Sequence, residues 1–177
     1  MSFIVTATGK KFDFERPEEF AFEVDDIAPA LSNLCRFVGQ LGWWSVAQHS
    51  MLVADLVAPE HRLRALLHDA SEAFLADIPG PLKKLPRMWE YRRLEARVEN
   101  AIFKTFGAPT DPVATNEVKR ADLIALRAEA AEFGALSPAW DVYSLPAVEI
   151  PSELMLASRF EVSRWFGRAI REEMTRA

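Results

Sequence analysis

Three histidines, at 49, 61 and 68, and a dense run of acids after the last of them are the residues best suited to chemistry in this chain. His68 is followed directly by Asp69 inside Arg64-Ala-Leu-Leu-His-Asp-Ala-Ser-Glu72. An imidazole and a carboxylate set side by side at the buried end of an apolar stripe both lose solvation, and a divalent cation bound to the pair would relieve that penalty. His49 falls on a face otherwise made of Val46 and Val53, so two neighbouring helices could bring it to the same point as His68. Asp69, Ser71, Glu72 and Asp77 lie within nine residues. Such crowding is unfavourable in a core that lacks a cation to offset the repulsion. A satisfied core histidine and a solvated helix end with capping acids are the alternatives that these residue types leave open. His61, after Pro59-Glu60 at a helix start, is expected to be exposed.

The elements that must position these residues are mainly helical. Phe3-Ile4-Val5-Thr6 and Lys11-Phe12-Asp13-Phe14 flank a glycine turn and predict a short hairpin. Asp25-Asp26 can cap a helix from Ile27 to about Phe37, closed by Gly39 and Gly42. Ser45 is placed as the N-cap of a helix carrying Val46, His49 and Val53 on one face. Pro59 opens a third helix whose stripe of Leu63, Leu66, Leu67, Ala70, Ala73 and Phe74 carries it past His68, until Asp77-Ile-Pro79-Gly-Pro81 breaks it. A long amphipathic helix through Met88, Glu95 and Ile102 stops at Gly107, and Asp111-Pro112 starts another through Val118 and Asp122. Gly134, Pro138, Pro146 and Pro151 predict a long ordered loop, after which Ser152 caps a terminal helix. The expectation is a single domain over residues 1–177, all-α in the main, with a short N-terminal β-hairpin.

Composition narrows the function classes. The chain has 177 residues, 50% of them hydrophobic, with 21 Lys+Arg against 26 Asp+Glu and a net charge of −5. An acidic chain of this kind has no bulk attraction to a nucleic acid polymer or an anionic membrane. Its one cysteine, Cys35, excludes an intramolecular disulfide and any thiolate-rich metal site. The first twenty residues have neither the basic nor the apolar region of a signal peptide, and the apolar runs are too short to span a bilayer, so a cytoplasmic location is expected.

Three motifs together resemble a known family. Ser45-Val-Ala-Gln-His49-Ser, Leu66-Leu-His68-Asp69-Ala-Ser-Glu72-Ala and Asp77-Ile-Pro79-Gly-Pro81-Leu-Lys83 are similar to those of the HD-domain phosphohydrolases. The closest likeness is to the small 5′-deoxynucleotidase group, which includes phage-type deoxynucleoside triphosphate triphosphohydrolases. The similarity is dense from Cys35 to Lys84 and thinner after it.

The resemblance implies an HD-type helical bundle and one divalent metal held by His49, His68, Asp69 and a later aspartate. Asp122, mid-helix in an apolar stretch, is the best candidate for the fourth ligand, with Asp111 and Asp141 as weaker rivals at turn or cap positions. A mixed set of imidazoles and carboxylates suits Mn, Fe, Co or Ni, with Mg possible. Glu72, one helical turn beyond His68, would position the attacking water or protonate the leaving oxygen, and Asp77 would lie near the water. Arg36, thirteen residues before His49, would contact phosphate and Phe37 the sugar, where the family carries an Arg-Trp pair. Lys83, fifteen residues after His68, matches a phosphate-contacting lysine. Trp43-Trp44 could stack on a base or pack in the core, with packing favoured. The implied reaction is hydrolysis of a (deoxy)nucleoside 5′-monophosphate, the alternative being release of triphosphate from a deoxynucleoside triphosphate. A helical binding or assembly module with a structural metal is the non-enzymatic alternative. Homo-oligomerisation is common in the family, and Trp89, Tyr91, Trp140 and Trp165 are the aromatic candidates for it.

Overall fold

A computed structural model describes residues 2–176. Strands β1 (Phe3–Val5) and β2 (Lys11–Asp13) pair antiparallel, Ile4 opposite Phe12, about a turn in which Gly9 takes φ +82°. That conformation excludes most side chains and is the reason for glycine there. The chain continues as α1 (Val24–Asn33), α2 (Val46–Asp55), α3 (Arg62–Leu67), α4 (Glu72–Leu75) and α5 (Gly80–Lys83). It then forms α6 (Trp89–Phe106), α7 (Pro112–Glu132), α8 (Ser152–Leu156) and α9 (Arg159–Arg176), with short 3-10 turns between several of these. The expected class, mainly α with a small hairpin, is the one observed.

The hairpin is fastened to the helices through the middle of β2 and through the turn before it. Phe12 is fully buried among Phe14, Phe20, Phe22 and Phe74, with ring centroids 4.5 to 6.1 Å away. Asp26, in the first turn of α1, accepts hydrogen bonds from the backbone N–H and the hydroxyl of Thr8 (3.0 and 2.6 Å) and faces Lys10 at 3.4 Å. Thus Asp26 ties the hairpin down instead of capping α1, whose first residue is Val24.

Three helix ends follow the sequence grammar. Ser45 and Gln48 form a reciprocal capping box at the start of α2, satisfying two backbone N–H groups that the helix leaves unpaired. Asp111 accepts from the N–H groups of Val113 and Ala114 at the start of α7. Its role as a cap removes it from the ligand candidates. Gly107 ends α6 in the left-handed conformation, φ +69°.

Other boundaries differ from expectation. Helix α1 stops at Asn33, not near Phe37, because Cys35 forms an isolated antiparallel bridge with Ser45 and draws the chain into extended backbone. The 3-10 turn at Arg36–Gly39 that follows holds Phe37 and Val38 at φ +54°. The third helix ends at Leu67. Beyond it Ala70, Glu72 and Phe74 donate to the carbonyls three residues earlier, so the turn tightens before α4. Ser152 lies inside α8, and the terminal helix starts only at Arg159, where Ser158 and Glu161 bond reciprocally. His61 is half-buried against Glu117 rather than exposed. Trp165 and Tyr91 are likewise half-buried, which leaves Trp89 and Trp140 as the exposed members of the aromatic set.

Helices α1, α2, α3 and α9 pack around a core containing Ile27, Leu31, Val46, Val53, Leu66, Leu67, Phe166 and Ile170. Gly167 of α9 lies against α1, where a Cβ would meet the Ala28 and Val24 side chains at 3.4 Å, an ordinary contact distance. Helix α2 also lies against α7. Its position between α3 and α7 sets where His49 points. Among the described residues no helix is long and apolar enough to cross a membrane.

Candidate metal centre

His49 is fully buried on α2, enforced by Val46 and Val53 on the same face and by the capping box that fixes the helix start. His68 sits just after α3, where its Nδ1 meets the Ala65 carbonyl at 2.7 Å. Asp122 comes from the middle of α7. The three converge: one ligand atom from each of His49, His68 and Asp122 lies within 4.8 Å of the others, and the two rings are 5.3 Å apart. His49 Nε2 is 3.1 Å from Asp122 Oδ1 and 3.7 Å from Asp69 Oδ2, while His68 Nε2 is 3.2 Å from Asp69 Oδ2. Three of the expected ligands, His49, His68 and Asp122, are thus grouped, Asp69 lies beside both imidazoles, and Asp122, rather than Asp111 or Asp141, is the later acid that reaches them. The structural alternative for Asp122, an ion pair with Arg120, Lys119 or Arg127, is not formed among the described residues.

The fit to a cation rests on two atoms. His49 Nε2 and His68 Nε2 are both buried and make no well-aligned hydrogen bond, each facing a carboxylate oxygen at 3.1 to 3.2 Å, although the Nδ1 of each ring is engaged. Two buried nitrogens facing two carboxylates are an arrangement that a positive charge between them stabilises. The electrostatics agree. Burial pushes the pKa of His68 down, but Asp69 more than offsets it and holds the ring up at about 9. Burial and the Arg36 charge press on His49 in the same direction, and the carboxylates of Glu129 and Asp122 overcome both. Burial likewise opposes ionisation of Asp69 and Asp122, yet the imidazoles beside them keep both below the usual carboxylate range. The pocket favours positive charge at its centre, which a proton or a metal ion can supply. His49, His68 and Asp122 thus form a group able to hold a metal ion.

A second cluster adjoins it. Glu72 is 5% exposed, its Oε1 3.2 Å from Lys83 Nζ and its Oε2 buried without a partner. Lys83 also meets Glu95 at 2.6 Å. Burial, with the nearby charges of Asp69 and Asp77, raises the Glu72 pKa well above its ordinary value. Asp77, after the kink at Ala76, is raised in the same way by burial and Asp69. Asp77 makes no hydrogen bond or ion pair among the described residues. Lys84 is exposed.

Arg36 reaches the site from the strained turn. Its Nη1 is 3.7 Å from Asp69 Oδ2, and its guanidinium lies 5.6 Å from the centroid of the half-buried Phe37 ring. Trp44 is core, as favoured, with its indole N–H donated to a carboxylate.

That carboxylate, Glu129, is the residue that sequence reasoning missed. It is fully buried on α7 and contacts His49, Trp44 and Arg36. In Arg127-Ala-Glu129-Ala-Ala-Glu132 it reads as an ordinary charged helix end. The signal that could have found it is its place seven residues after Asp122, two turns along the same face. Glu95, the second partner of Lys83, was also not foreseen.

No protein-family model matches the chain. It is 41% identical over 160 residues to the uncharacterized protein YfdR of Escherichia coli, an alignment covering 89% of this chain and 88% of YfdR. It is 34% identical over 144 residues to an uncharacterized protein of Rhodobacter capsulatus, covering 75% of this chain and 73% of that protein. At this identity and coverage, the chain belongs to the same protein family as YfdR.

Proposed function

We propose that this protein is a metal-dependent phosphohydrolase that cleaves the 5′-phosphate ester of (deoxy)nucleotides, converting nucleoside 5′-monophosphates to nucleoside and inorganic phosphate. The observation that carries the reading is the convergence of two buried imidazole Nε2 atoms on Asp122 and Asp69, beside acids whose pKa values are pushed up. His49, His68, Asp69 and Asp122 would hold one divalent ion, with Co, Mn, Fe or Ni suited to the donor set and Mg compatible. Such an ion, when bound, supplies Lewis acidity toward phosphoryl oxygen and makes a nucleophile available from water near neutral pH.

The chain's own residues supply the rest. Arg36 and Lys83 neutralise charge on the phosphoryl oxygens, and Phe37 offers an apolar face to the sugar. Asp77 accepts a hydrogen bond from the attacking water and takes its proton. The water oxygen forms a bond to phosphorus as the bond from phosphorus to the 5′ oxygen breaks. Glu72, whose buried carboxyl has its pKa raised by burial and by the neighbouring acids, delivers a proton to the departing 5′ oxygen. Proton exchange with solvent then resets both acids. A cytoplasmic homo-oligomer, with Trp89 and Trp140 as exposed aromatic groups, completes the proposal.

The test is a panel of nucleoside mono- and triphosphates with Co or Mn, separating free phosphate from triphosphate. Free phosphate from monophosphates is the expected result. Triphosphate release would instead favour the triphosphohydrolase alternative. Metal uptake with no turnover of any nucleotide would favour the binding-module alternative.

A further inference from the structure

Glu129 spends both carboxylate oxygens on three donors. Oε1 lies 2.6 Å from His49 Nδ1 and 2.9 Å from Trp44 Nε1, and Oε2 lies 3.0 Å from Arg36 Nε. An ionised carboxylate only accepts, so His49 Nδ1 must carry its hydrogen, and the Nε2 lone pair is left for a cation. The same logic holds Arg36 by its Nε edge and leaves its Nη groups on the side of Asp69. His68 obtains the equivalent support from the Ala65 carbonyl, which no side-chain substitution removes. Of the two rings, His49 is the one whose Nδ1 is held by a replaceable side chain.

We infer that Glu129 is a positioning residue that uses one buried carboxylate to fix both the metal-binding tautomer of His49 and the orientation of Arg36. The His49 half concerns metal binding alone. The role of Arg36 toward phosphate rests on the function proposed above, but its orientation does not. Outer-shell partners of this type change metal affinity by about 10- to 100-fold when removed.

Because removing Glu129 alone strands the buried Arg36 charge, two double variants isolate the effect. Arg36→Met with Glu129→Gln keeps a carbonyl acceptor for His49 Nδ1–H, and Arg36→Met with Glu129→Leu removes it; both lack the ion pair. Titration of the metal-free proteins with Mn or Co by calorimetry should give about 10- to 100-fold weaker binding for the leucine pair than for the glutamine pair. Nitrogen-15 spectra of the Zn-loaded proteins should show a protected His49 Nδ1–H in the wild type and glutamine pair. The leucine pair should lose it, with His68 unchanged as an internal control. For the Arg36 half, the single Glu129→Gln variant should lose the slow exchange of Arg36 Nε–H seen in the wild type.

Equal metal affinity in the two double variants, or a His49 ring bound through Nδ1, would overturn the His49 half. Unchanged Arg36 Nε–H exchange in Glu129→Gln would overturn the other half. None of these readouts requires turnover, so they stay separate from the failure of the proposed reaction. A wild-type protein that takes up no metal would remove the basis of the His49 half.

Discussion

Replacing Glu72 by glutamine should lower activity and raise stability at the same time, a combination that a structural role would not produce. Glu72 is 5% exposed, its Oε2 has no partner, and burial together with Asp69 and Asp77 raises its pKa. Glutamine preserves the size and can still accept from Lys83, which also retains Glu95. What is lost is the transferable proton. General acid catalysis contributes about 10²- to 10⁴-fold, so kcat should fall by that factor while metal content stays at the wild-type level. The stability effect has a definite sign. A carboxyl with a raised folded-state pKa leaves stability intact below its unfolded pKa, about 4.3, and erodes it as pH rises toward the folded value. Glutamine has no such penalty. Its advantage should therefore be absent in acid and grow as pH rises above about 4.3. Urea unfolding of metal-free wild type and variant across pH, with single-turnover rates on a nucleoside monophosphate, measures both parts. A variant at the wild-type rate would refute the proton-donor role. A variant destabilised at neutral pH would refute the electrostatic reasoning behind it.

Two further predictions concern the scaffold. Asp26→Asn should destabilise the protein by about 1.5 to 3 kcal/mol near neutral pH, since Asp26 anchors Thr8 and Lys10 at the hairpin. Burial pushes its pKa up, but the Thr8 and Thr6 hydrogen bonds and Lys10 bring it below the ordinary value. This contribution is present above the unfolded pKa, about 3.9, and lost as pH falls through the folded one, so denaturation curves of wild type and variant should converge in acid. Ala76→Gly should stabilise by about 1 kcal/mol. Ala76 is held at φ +67° and ψ 158°, a region suited only to glycine, and the relief of strain exceeds glycine's greater freedom in the unfolded chain. A decrease in urea midpoint for Ala76→Gly would contradict that assignment of strain.

The parts of the fold written in local chemistry were legible: the Gly9 hairpin, the Ser45 capping box, the Gly107 stop and the Asp111-Pro112 start all rest on residues within a few positions of one another. The end of α1 was not, because it is set by pairing of Cys35 with Ser45 across ten residues. The stripe from Leu63 to Phe74 reads as one helix, since tightening to bonds three residues apart leaves its hydrophobic pattern nearly unchanged. The metal group was visible because imidazoles and carboxylates in apolar stretches are conspicuous by type. Glu129 and Glu95 were hidden for the opposite reason, as glutamates on helices that carry other exposed charge. Only the approach of α7 to α2, 80 residues apart at the His49 contact, shows that Glu129 is interior.

Metal stoichiometry tests the central claim most directly. Purified wild-type protein reloaded with Co or Mn should carry one ion per chain by elemental analysis, and His68→Ala, folded by circular dichroism, should carry almost none. A wild type that remains empty under saturating metal, or a His68→Ala variant that retains a full equivalent, would contradict the account.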